Sequence, residues 1–346
     1  MKKLLLALIT TASLTACHNG EVFVEVLPPL QEEYVSKPIM FDIYADKTTR
    51  AQATNLEAYH NTFVVYGTKE NDGMQTVFDG VTVTHQSGAT APNEWTYSPL
   101  RYWDKQGSYE FIAYAPASAP VAYTLAGTGK VTGGKFATTA TYTLTGQNIQ
   151  DGNSNEELYV GFDGKGGHDT DIMLSDKTTA EGKTKQLVNL NFRHILAKLN
   201  VAVKKKAAFA PTITVKSITI TGLHDSGVYT DAAGWTSSSV DPNYKLQYAD
   251  ATGVAVSDTK QYFVESLVMP QDMGGKLTIV YEINTGGYTE TYTYVVDVKD
   301  VFTTRSHYEK GSNYTITFTI DPSDAIMFKG NVATWDEKGD ASHEID

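Results

Sequence analysis

Apolar and polar residues alternate along much of this chain with a period of two, which is typical of strands that bury one face. The stretch YTITFTI, residues 314–320, places its apolar side chains on one face and three threonines on the other. Two further alternating runs, KLTIVYEI at 276–283 and YTETYTYVVDV at 288–298, flank Gly286 and Gly287. A Gly-Gly step between two such runs predicts a β-hairpin.

Residues 108–116, SYEFIAYAP, are apolar on both faces of the predicted strand. Tyr109 and Phe111 lie on one face, and Ile112 and Tyr114 lie on the other. A strand with two apolar faces is expected to be covered by other elements on both sides.

The stretch QLVNLNFRHILAKLNVAVK, residues 186–204, changes phase in the middle. Its apolar side chains fall on even positions up to His194 and on odd positions from Ile195 onward. Because one residue inverts the face of a strand, this change predicts a bulge, a bend or a tight reversal. We interpret His194 as a buried structural residue whose ring bonds backbone groups freed by the break.

Composition and length extend this interpretation to the whole chain. The 346 residues include 21 Tyr and 28 Gly, which suit half-buried sheets and tight turns. A single core seldom grows past ~250 residues, and a stretch rich in Gly, Asn, Asp and Lys occupies residues 146–185. We predict an all-β protein with two tandem antiparallel β-sandwich domains, residues 51–185 and 186–346.

The formal net charge of −12 bears on possible partners. Proteins that bind nucleic acid neutralise phosphates with clustered Lys and Arg, so no nucleic-acid partner is expected.

The N-terminus has the features of an export signal. Lys2 and Lys3 precede an apolar run at residues 4–9, which is too short to span a bilayer, since that needs roughly 20 apolar residues. We predict that residues 1–16 are a signal peptide.

The single cysteine, Cys17, follows this signal. Such a residue is open to three interpretations: a buried thiol, a catalytic nucleophile or part of a processing site. The sequence LTAC at residues 14–17 resembles the lipobox of bacterial lipoproteins. This resemblance implies cleavage between Ala16 and Cys17, diacylation of Cys17 and attachment to the outer membrane through lipid.

Three blocks resemble the fimbrillin family, the lipoprotein subunits of type V pili and their Mfa-like relatives. FRHILAKL at 192–199 is similar to the pattern F-x-H-x-L-[AS]-[KR]-L. YWDKQGSYEFIAYAP at 102–116 is similar to Y-W-x(3)-G-x-Y-x-F-x-A-Y-x-P, and residues 311–335 resemble the closing G-x(2)-Y strand and terminal V-x(2)-W. The resemblance implies transthyretin-like sandwiches, a place in a fimbrium at the cell surface and a role in cell adhesion.

The family resemblance also implies a second processing site. Polymerising fimbrillins are cut after an Arg that follows the first strand, by a trypsin-like Arg-specific protease. Arg50 occupies that position, so residues 17–50 would leave as a propeptide and the mature subunit would start at Ala51. A strand from another pilus subunit would then fill the vacated groove.

The donated strand is harder to identify. Residues 336–346, DEKGDASHEID, are charged and lack a long alternating apolar pattern, which leaves Ile326 to Trp335 as the segment that could contribute to a donor strand. A poor donor favours a tip or anchor subunit, or a non-polymerising surface protein, over a stalk subunit.

The motif residues are interpreted as structural. Side-chain packing explains their positions without any catalytic or binding role. These residues are Phe192, His194, Leu196, Leu199, Trp103 and Trp335.

No catalytic, cofactor or metal signature has the required spacing, so neither an enzyme nor a cofactor is predicted. A weak Ca²⁺ possibility at Asp163, Asp169 and Asp171 does not match an EF-hand loop. The competing function is a non-polymerising surface lipoprotein that binds a glycan or a host ligand. Exposed aromatic residues would serve that function, and they are predicted at Trp95, Tyr97 or Trp235.

Overall fold

Regular structure in this protein is almost entirely β-strand. A computed structural model describes residues 36–45, 56, 60–119, 121–125, 136–143, 170–231, 233–237, 240, 242, 244–321 and 327–334. The strands among these residues are β1 (Phe41–Ala45), β2 (Thr62–Glu70), β3 (Met74–His85), β4 (Trp95–Thr96), β5 (Ser108–Ala115), β6 (Val121–Leu125), β7 (Phe136–Thr143), β8 (Met173–Ser175), β9 (Thr178–Glu181), β10 (Val188–His194), β11 (Ala197–Lys205), β12 (Thr212–Thr221), β13 (Ser226–Thr230), β14 (Gly234–Ser237), β15 (Lys245–Val256), β16 (Gln261–Val268), β17 (Lys276–Thr285), β18 (Tyr288–Asp297), β19 (Ser312–Ile320) and β20 (Met327–Thr334).

The described strands form four sheets. The largest follows the order β1-β10-β8-β5-β2-β3-β4, with β9 also paired to β5. Two four-stranded sheets come from the second half of the chain, with the orders β16-β11-β19-β20 and β15-β12-β17-β18. The all-β class is therefore confirmed. Pairing is antiparallel apart from two parallel pairs, β1 with β10 and β11 with β19.

The fourth sheet combines strands from both halves of the chain, in the order β14-β13-β7-β6. Its β13 pairs with β7 in antiparallel register. Contacts divide the chain into Met1–Val35 and Ser36–Asp346, and every described residue belongs to the second unit. The boundary between residues 185 and 186 stays a prediction; β10, which follows it, lies in the largest sheet.

The phase change at residue 194 is confirmed as a break between strands. β10 ends at His194 in the largest sheet, and β11 begins at Ala197 in a four-stranded sheet. The Ile195 amide donates to the Ile172 carbonyl at 3.1 Å, and the Leu196 carbonyl accepts from the Gly311 amide at 2.7 Å. The two residues between the strands therefore carry the chain from one sheet to another with these backbone groups paired.

Other strand predictions are also confirmed. The apolar positions of 314–320 alternate with less buried threonines in β19. β5 is buried along both faces from Tyr109 onward. In the predicted hairpin, Thr285 pairs with Tyr288 across Gly286 and Gly287, whose φ values are 62° and 92°.

Helix is scarce in the described residues. α1 (Val298–Val301) is a single turn after β18. Within the described ranges, no helix has the length and apolarity needed to cross a bilayer.

Gly182 lies against the backbone of the loop before β5. Its amide donates to the Gly107 carbonyl at 2.8 Å, and an added Cβ would lie 1.8 Å from the Asp104 carbonyl oxygen. Since backbone must move to relieve this overlap, Gly182→Ala should lower the free energy of unfolding by about 2–3 kcal/mol. Urea unfolding measures the change.

Gly274→Ala is the matched control for this substitution. The nearest atom to its added Cβ is the Gly222 carbonyl oxygen at 3.6 Å, which is ordinary contact. Equal losses of stability in the two variants would contradict the overlap at Gly182.

Candidate functional site

The segment at residues 36–45 forms one edge of the largest sheet. β1 pairs only with β10 among the described strands, in parallel register, with Phe41 beside Val188 and Ala45 beside Phe192. An edge strand has ladder hydrogen bonds on one side, so it can leave a sheet without breaking pairs on its other side.

Alternate side chains of β1 are buried in the core. Phe41, Ile43 and Ala45 are 1%, 4% and 0% exposed, while Asp42 and Tyr44 are half-buried. The Tyr44 hydroxyl donates to Asp42 Oδ2 at 2.6 Å. β1 therefore has a fully apolar inner face and a polar outer face.

Phe41 occupies a pocket built from aromatic rings. Its nearest neighbours approach edge-on or tilted, with centroid distances of 5.8 Å to Phe63, 5.6 Å to Phe78, 5.8 Å to Tyr97 and 6.2 Å to Phe111. Edge-to-face pairs at such distances are favourable beyond the area that they bury. The pockets of β1 thus decrease in size from Phe41 through Ile43 to Ala45.

Residues 97–103 hold the chain just before β1. The Tyr97 hydroxyl donates to the Ile39 carbonyl at 2.8 Å, and the Ile39 amide donates to the Arg101 carbonyl at 2.8 Å. The Trp103 amide donates to the Lys37 carbonyl at 3.0 Å. Burial raises the pKa of Tyr97, so its hydroxyl remains a hydrogen-bond donor at neutral pH.

The aromatic residues predicted to be exposed for glycan binding are not exposed. Trp95 and Tyr97 are 2% and 8% exposed, so this prediction is wrong for both. They pack in the core around Phe41 and Phe63. Trp235 is partly buried, and its indole Nε1 donates to the Ile195 carbonyl.

Two buried histidines lie beside one carboxylate near the break after β10. His194 Nδ1 is 2.6 Å from Asp171 Oδ2. This carboxylate partner was not predicted from the sequence, which indicated backbone groups as partners of the ring. His60 is also buried, and the charges of Asp171 and His194 act on it. The described part of the chain has no group of three or more His, Cys, Asp or Glu side chains arranged for a metal ion, and Asp163 and Asp169 lie outside it.

Acidification should destabilise the fold through His60. Burial lowers the pKa of His60 below its usual value of about 6.5, opposed by the Asp171 charge and reinforced by His194. When the pH falls below about 6.5, His60 binds a proton in the unfolded chain more readily than in the folded protein. The free energy of unfolding therefore decreases as the pH falls through this value.

Urea unfolding at several pH values between about 7.5 and 5.5 measures this effect, in a window set by the usual histidine pKa. His60→Asn should flatten the dependence. An unchanged slope in His60→Asn would contradict the role of His60.

The structure places the predicted motif residues as follows. Phe192, Leu196, Leu199 and Trp103 are in the core, at 0%, 0%, 0% and 2% exposed, and His194 is 1% exposed. The Phe192 and Phe63 rings have centroids 5.5 Å apart, and Phe192 lies in β10, the strand that pairs with β1. The remaining predicted residues lie outside the described residues: Ala16, Cys17, Arg50, Ala51 and Trp335.

Several residues that hold the segment at 36–45 were not anticipated from the sequence. Tyr97, Arg101 and Val188 contact it from positions about 60 to 150 residues away along the chain. No local sequence pattern links these residues to β1. Only Tyr97 had been singled out in the sequence, because it is aromatic.

Comparison with known proteins gives one family and several solved structures. The model of the fimbrillin-like family matches residues 49–335. None of the curated proteins that were compared matches the chain.

The similar solved structures include a proposed cell adhesion protein from Bacteroides uniformis, 16% identical, which covers 86% of this chain and 98% of its own, with a TM-score of 0.49. The fimbrial anchor protein Mfa2 from Porphyromonas gingivalis is 13% identical and covers 87% of this chain and 98% of its own, with a TM-score of 0.34. A proposed polysaccharide binding protein from Bacteroides thetaiotaomicron is 13% identical and covers 86% of this chain and 97% of its own, with a TM-score of 0.38.

Proposed function

Since the chain belongs to the fimbrillin-like family, we propose that it is a structural subunit of a type V pilus that serves cell adhesion and assembles by strand exchange. The observation that carries this proposal is the edge strand β1. It inserts an apolar face into the core, pairs on one side only, and precedes Arg50.

Removal of residues 36–45 would expose the edge of β10 that pairs with residues 41–45, and would free the groups of residues 97–103 that bond residues 37–39. An incoming strand would regain backbone hydrogen bonds along β10, and alternate side chains would refill the pockets. The protease step we propose is cleavage after Arg50, which would release residues 17–50 and leave Ala51 as the new N-terminus.

The pockets define which strand would fit best. A donor in the position of β1 runs parallel to β10 and carries a large aromatic residue, then a branched aliphatic residue, then a small one, at alternate positions. Substituting a small residue for the aromatic one would leave a cavity among Phe63, Phe78 and Phe111, which costs several kcal/mol.

The chain's own C-terminal strand is a poor match for this pattern. β20 carries Phe328 followed two residues later by Gly330, where a branched residue would be needed. β20 also pairs with β19 from Ser312 to Thr319, so its donation would break that pairing. We therefore favour a tip or anchor position over a stalk position. A tip subunit would accept a strand in the vacated groove, whereas an anchor subunit would keep β1.

Lipidation at Cys17 completes the proposal for localisation. The lipid would attach the exported chain to the outer membrane at the cell surface. An anchor subunit would keep Cys17 and β1, whereas a polymerising subunit would lose both together.

The test is to express the full chain in a host that carries the Arg-specific protease and to sequence the N-terminus of the surface form. A cut subunit should start at Ala51 and form SDS-resistant complexes with other pilus subunits, and both results should disappear in Arg50→Ala. Lys47→Ala is the control, since it alters a basic residue in the same stretch and leaves Arg50 in place. A lipidated Cys17 start with monomers only would rule out polymerisation.

A further inference from the structure

The β17–β18 hairpin carries a rigid surface that the proposed assembly does not use. β18 is the outer strand of its sheet and pairs only with β17 among the described strands. Asn284 ties the turn together: its Nδ2 donates to Thr289 Oγ1 at 2.7 Å, and its Oδ1 accepts from the Gly287 amide at 3.3 Å. A hairpin held in this way loses little conformational freedom when it binds a ligand.

Two tyrosine rings on this hairpin are exposed. Tyr288 and Tyr292 are 68% and 39% exposed, and they lie on the same face of β18. They are four positions apart, which corresponds to about 13 Å along a strand. An extended oligosaccharide can contact both rings across this distance.

Tyr292 is held in a fixed orientation. It lies directly opposite Tyr281, and the two rings stack with centroids 5.4 Å apart and planes 14° apart. Tyr281 is 4% exposed, so it covers one face of the Tyr292 ring from the core side. Tyr292 shares the sheet face of the buried Tyr281 but remains 39% exposed, since β18 is the outer strand of the sheet.

Hydrogen-bonding groups lie between the two rings. Glu290 is exposed and midway between Tyr288 and Tyr292, and its Oε2 accepts from the Tyr292 hydroxyl at 2.6 Å. This hydrogen bond raises the pKa of Tyr292, so the hydroxyl keeps its proton at neutral pH. A carboxylate and a phenol flanked by apolar ring faces match the hydroxyl edges and C–H faces of a sugar.

The charge of the surface selects among sugars. Glu290 lies at the centre of the surface, and the whole chain has a formal net charge of −12. A carboxylate at this position would repel sulfated or uronic-acid glycans. A neutral glycan fits the same groups without that cost.

From these observations we propose that Tyr288, Glu290 and Tyr292 form a binding surface for a neutral oligosaccharide that lies along β18. The partially positive C–H groups of the sugar would meet the negative faces of the tyrosine rings. The surface is independent of the groove beside β10. It would serve adhesion in a pilus subunit or in a lipoprotein that does not polymerise.

The exposed residues favour a sugar over a second copy of the chain. Pairing of β18 with another strand would use its backbone edge and would leave Tyr288 and Glu290 exposed on the face. The rings and the carboxylate lie on that face, where a flat ligand contacts them together.

The test is isothermal titration of the full exported chain with neutral hexasaccharides of β-glucan, α-glucan, xylan and mannan, and with a hexamer of galacturonic acid. We expect at least one neutral hexamer to bind and the acidic hexamer to bind at least tenfold more weakly. The double variant Tyr288→Ala/Tyr292→Ala should weaken the neutral binding at least tenfold. Tyr292→Phe, which keeps the ring, should retain most of it.

Tyr102→Ala is the matched control, because Tyr102 is also exposed, at 54%, but lies far from β18 along the chain. Circular dichroism and thermal melts of each variant check that the fold is retained. Failure of all four neutral hexamers, or binding that the double variant leaves unchanged, would overturn the proposal. Self-association that the double variant abolishes would also overturn it and would assign the hairpin to contacts between copies.

Discussion

Loss of the segment at residues 36–45 should remove most of the stability of the largest sheet. The experiment is to place a specific protease site within residues 46–51, cut the folded protein, and separate the N-terminal fragment in mild denaturant. Ile39, Phe41 and Ile43 are nearly fully buried, and each buried large side chain contributes ~1.5–3 kcal/mol. Together with Met40 and Ala45, the segment accounts for about 5–10 kcal/mol, which is comparable to the whole stability of a typical domain.

Thermal unfolding and hydrogen exchange measure this loss. We expect β10 and residues 97–103 to lose exchange protection, because they are the elements that pair with the removed segment. A synthetic peptide of residues 36–47 should restore protection and the melting temperature. A peptide with Phe41→Ala should restore much less, because the aromatic pocket stays empty.

The rescue by the peptide should depend on the buried face of β1, which carries Phe41. A peptide with Asp42→Ala is the control, because Asp42 lies on the outer face of β1 and only its bond to Tyr44 is lost. If the cut protein keeps its melting temperature after the fragment is removed, β1 does not support the core and cannot be the exchanged strand. Equal rescue by the Phe41→Ala and unmodified peptides would contradict the aromatic pocket as the main determinant of fit.

The alternating stretches were predictable because the pattern that determines which side chains are buried lies within a few neighbouring residues. β5, β17 and β19 show the expected faces, whereas β18 is exposed on both faces from Tyr288 to Thr293; the break after His194 follows from one change of phase. The short strands β8 and β9 fall in the stretch rich in Gly, Asn, Asp and Lys at residues 146–185, for which no strand was predicted at these positions. Three or four residues, MLS and TTAE, are too few to show a period, and their pairing with β5 and β10 is decided by distant partners.

The candidate groove was predictable in part. The alternation of residues 39–44 predicted a strand with a buried face, and burial of Phe41 and Ile43 confirms it. Its parallel pairing with β10 and its attachment to Tyr97 and Arg101 were not predictable, because contacts across long sequence separations leave no local pattern. The same reason explains why Trp95 and Tyr97 were placed on the surface: an aromatic residue in a turn-rich stretch is buried or exposed according to what packs over it.

Trp103→Ala should cost about 3–5 kcal/mol in unfolding free energy, the range for a fully buried Trp, and should loosen the segment before β1 selectively. Trp103 is 2% exposed and meets Tyr109 edge-on at 4.7 Å and Phe111 at 6.1 Å. Its backbone accepts from the Ser36 hydroxyl at 3.0 Å and donates to the Lys37 carbonyl at 3.0 Å. A cavity at this side chain therefore acts directly on the chain that leads into β1.

Urea unfolding measures the decrease in the free energy of unfolding of the whole protein. Hydrogen exchange at the Ile39 amide measures the local loss of stability before β1, since that amide donates to the Arg101 carbonyl. Trp103→Phe should recover about half of the stability because a smaller ring keeps the contact with Tyr109. Tyr102→Ala should change little, because its side chain is 54% exposed. The amides of β19, which lies in a separate sheet, are the reference for this measurement. If Trp103→Ala raises the exchange rate of the Ile39 amide no more than theirs, Trp103 stabilises the fold as a whole and does not specifically hold the segment at residues 36–45.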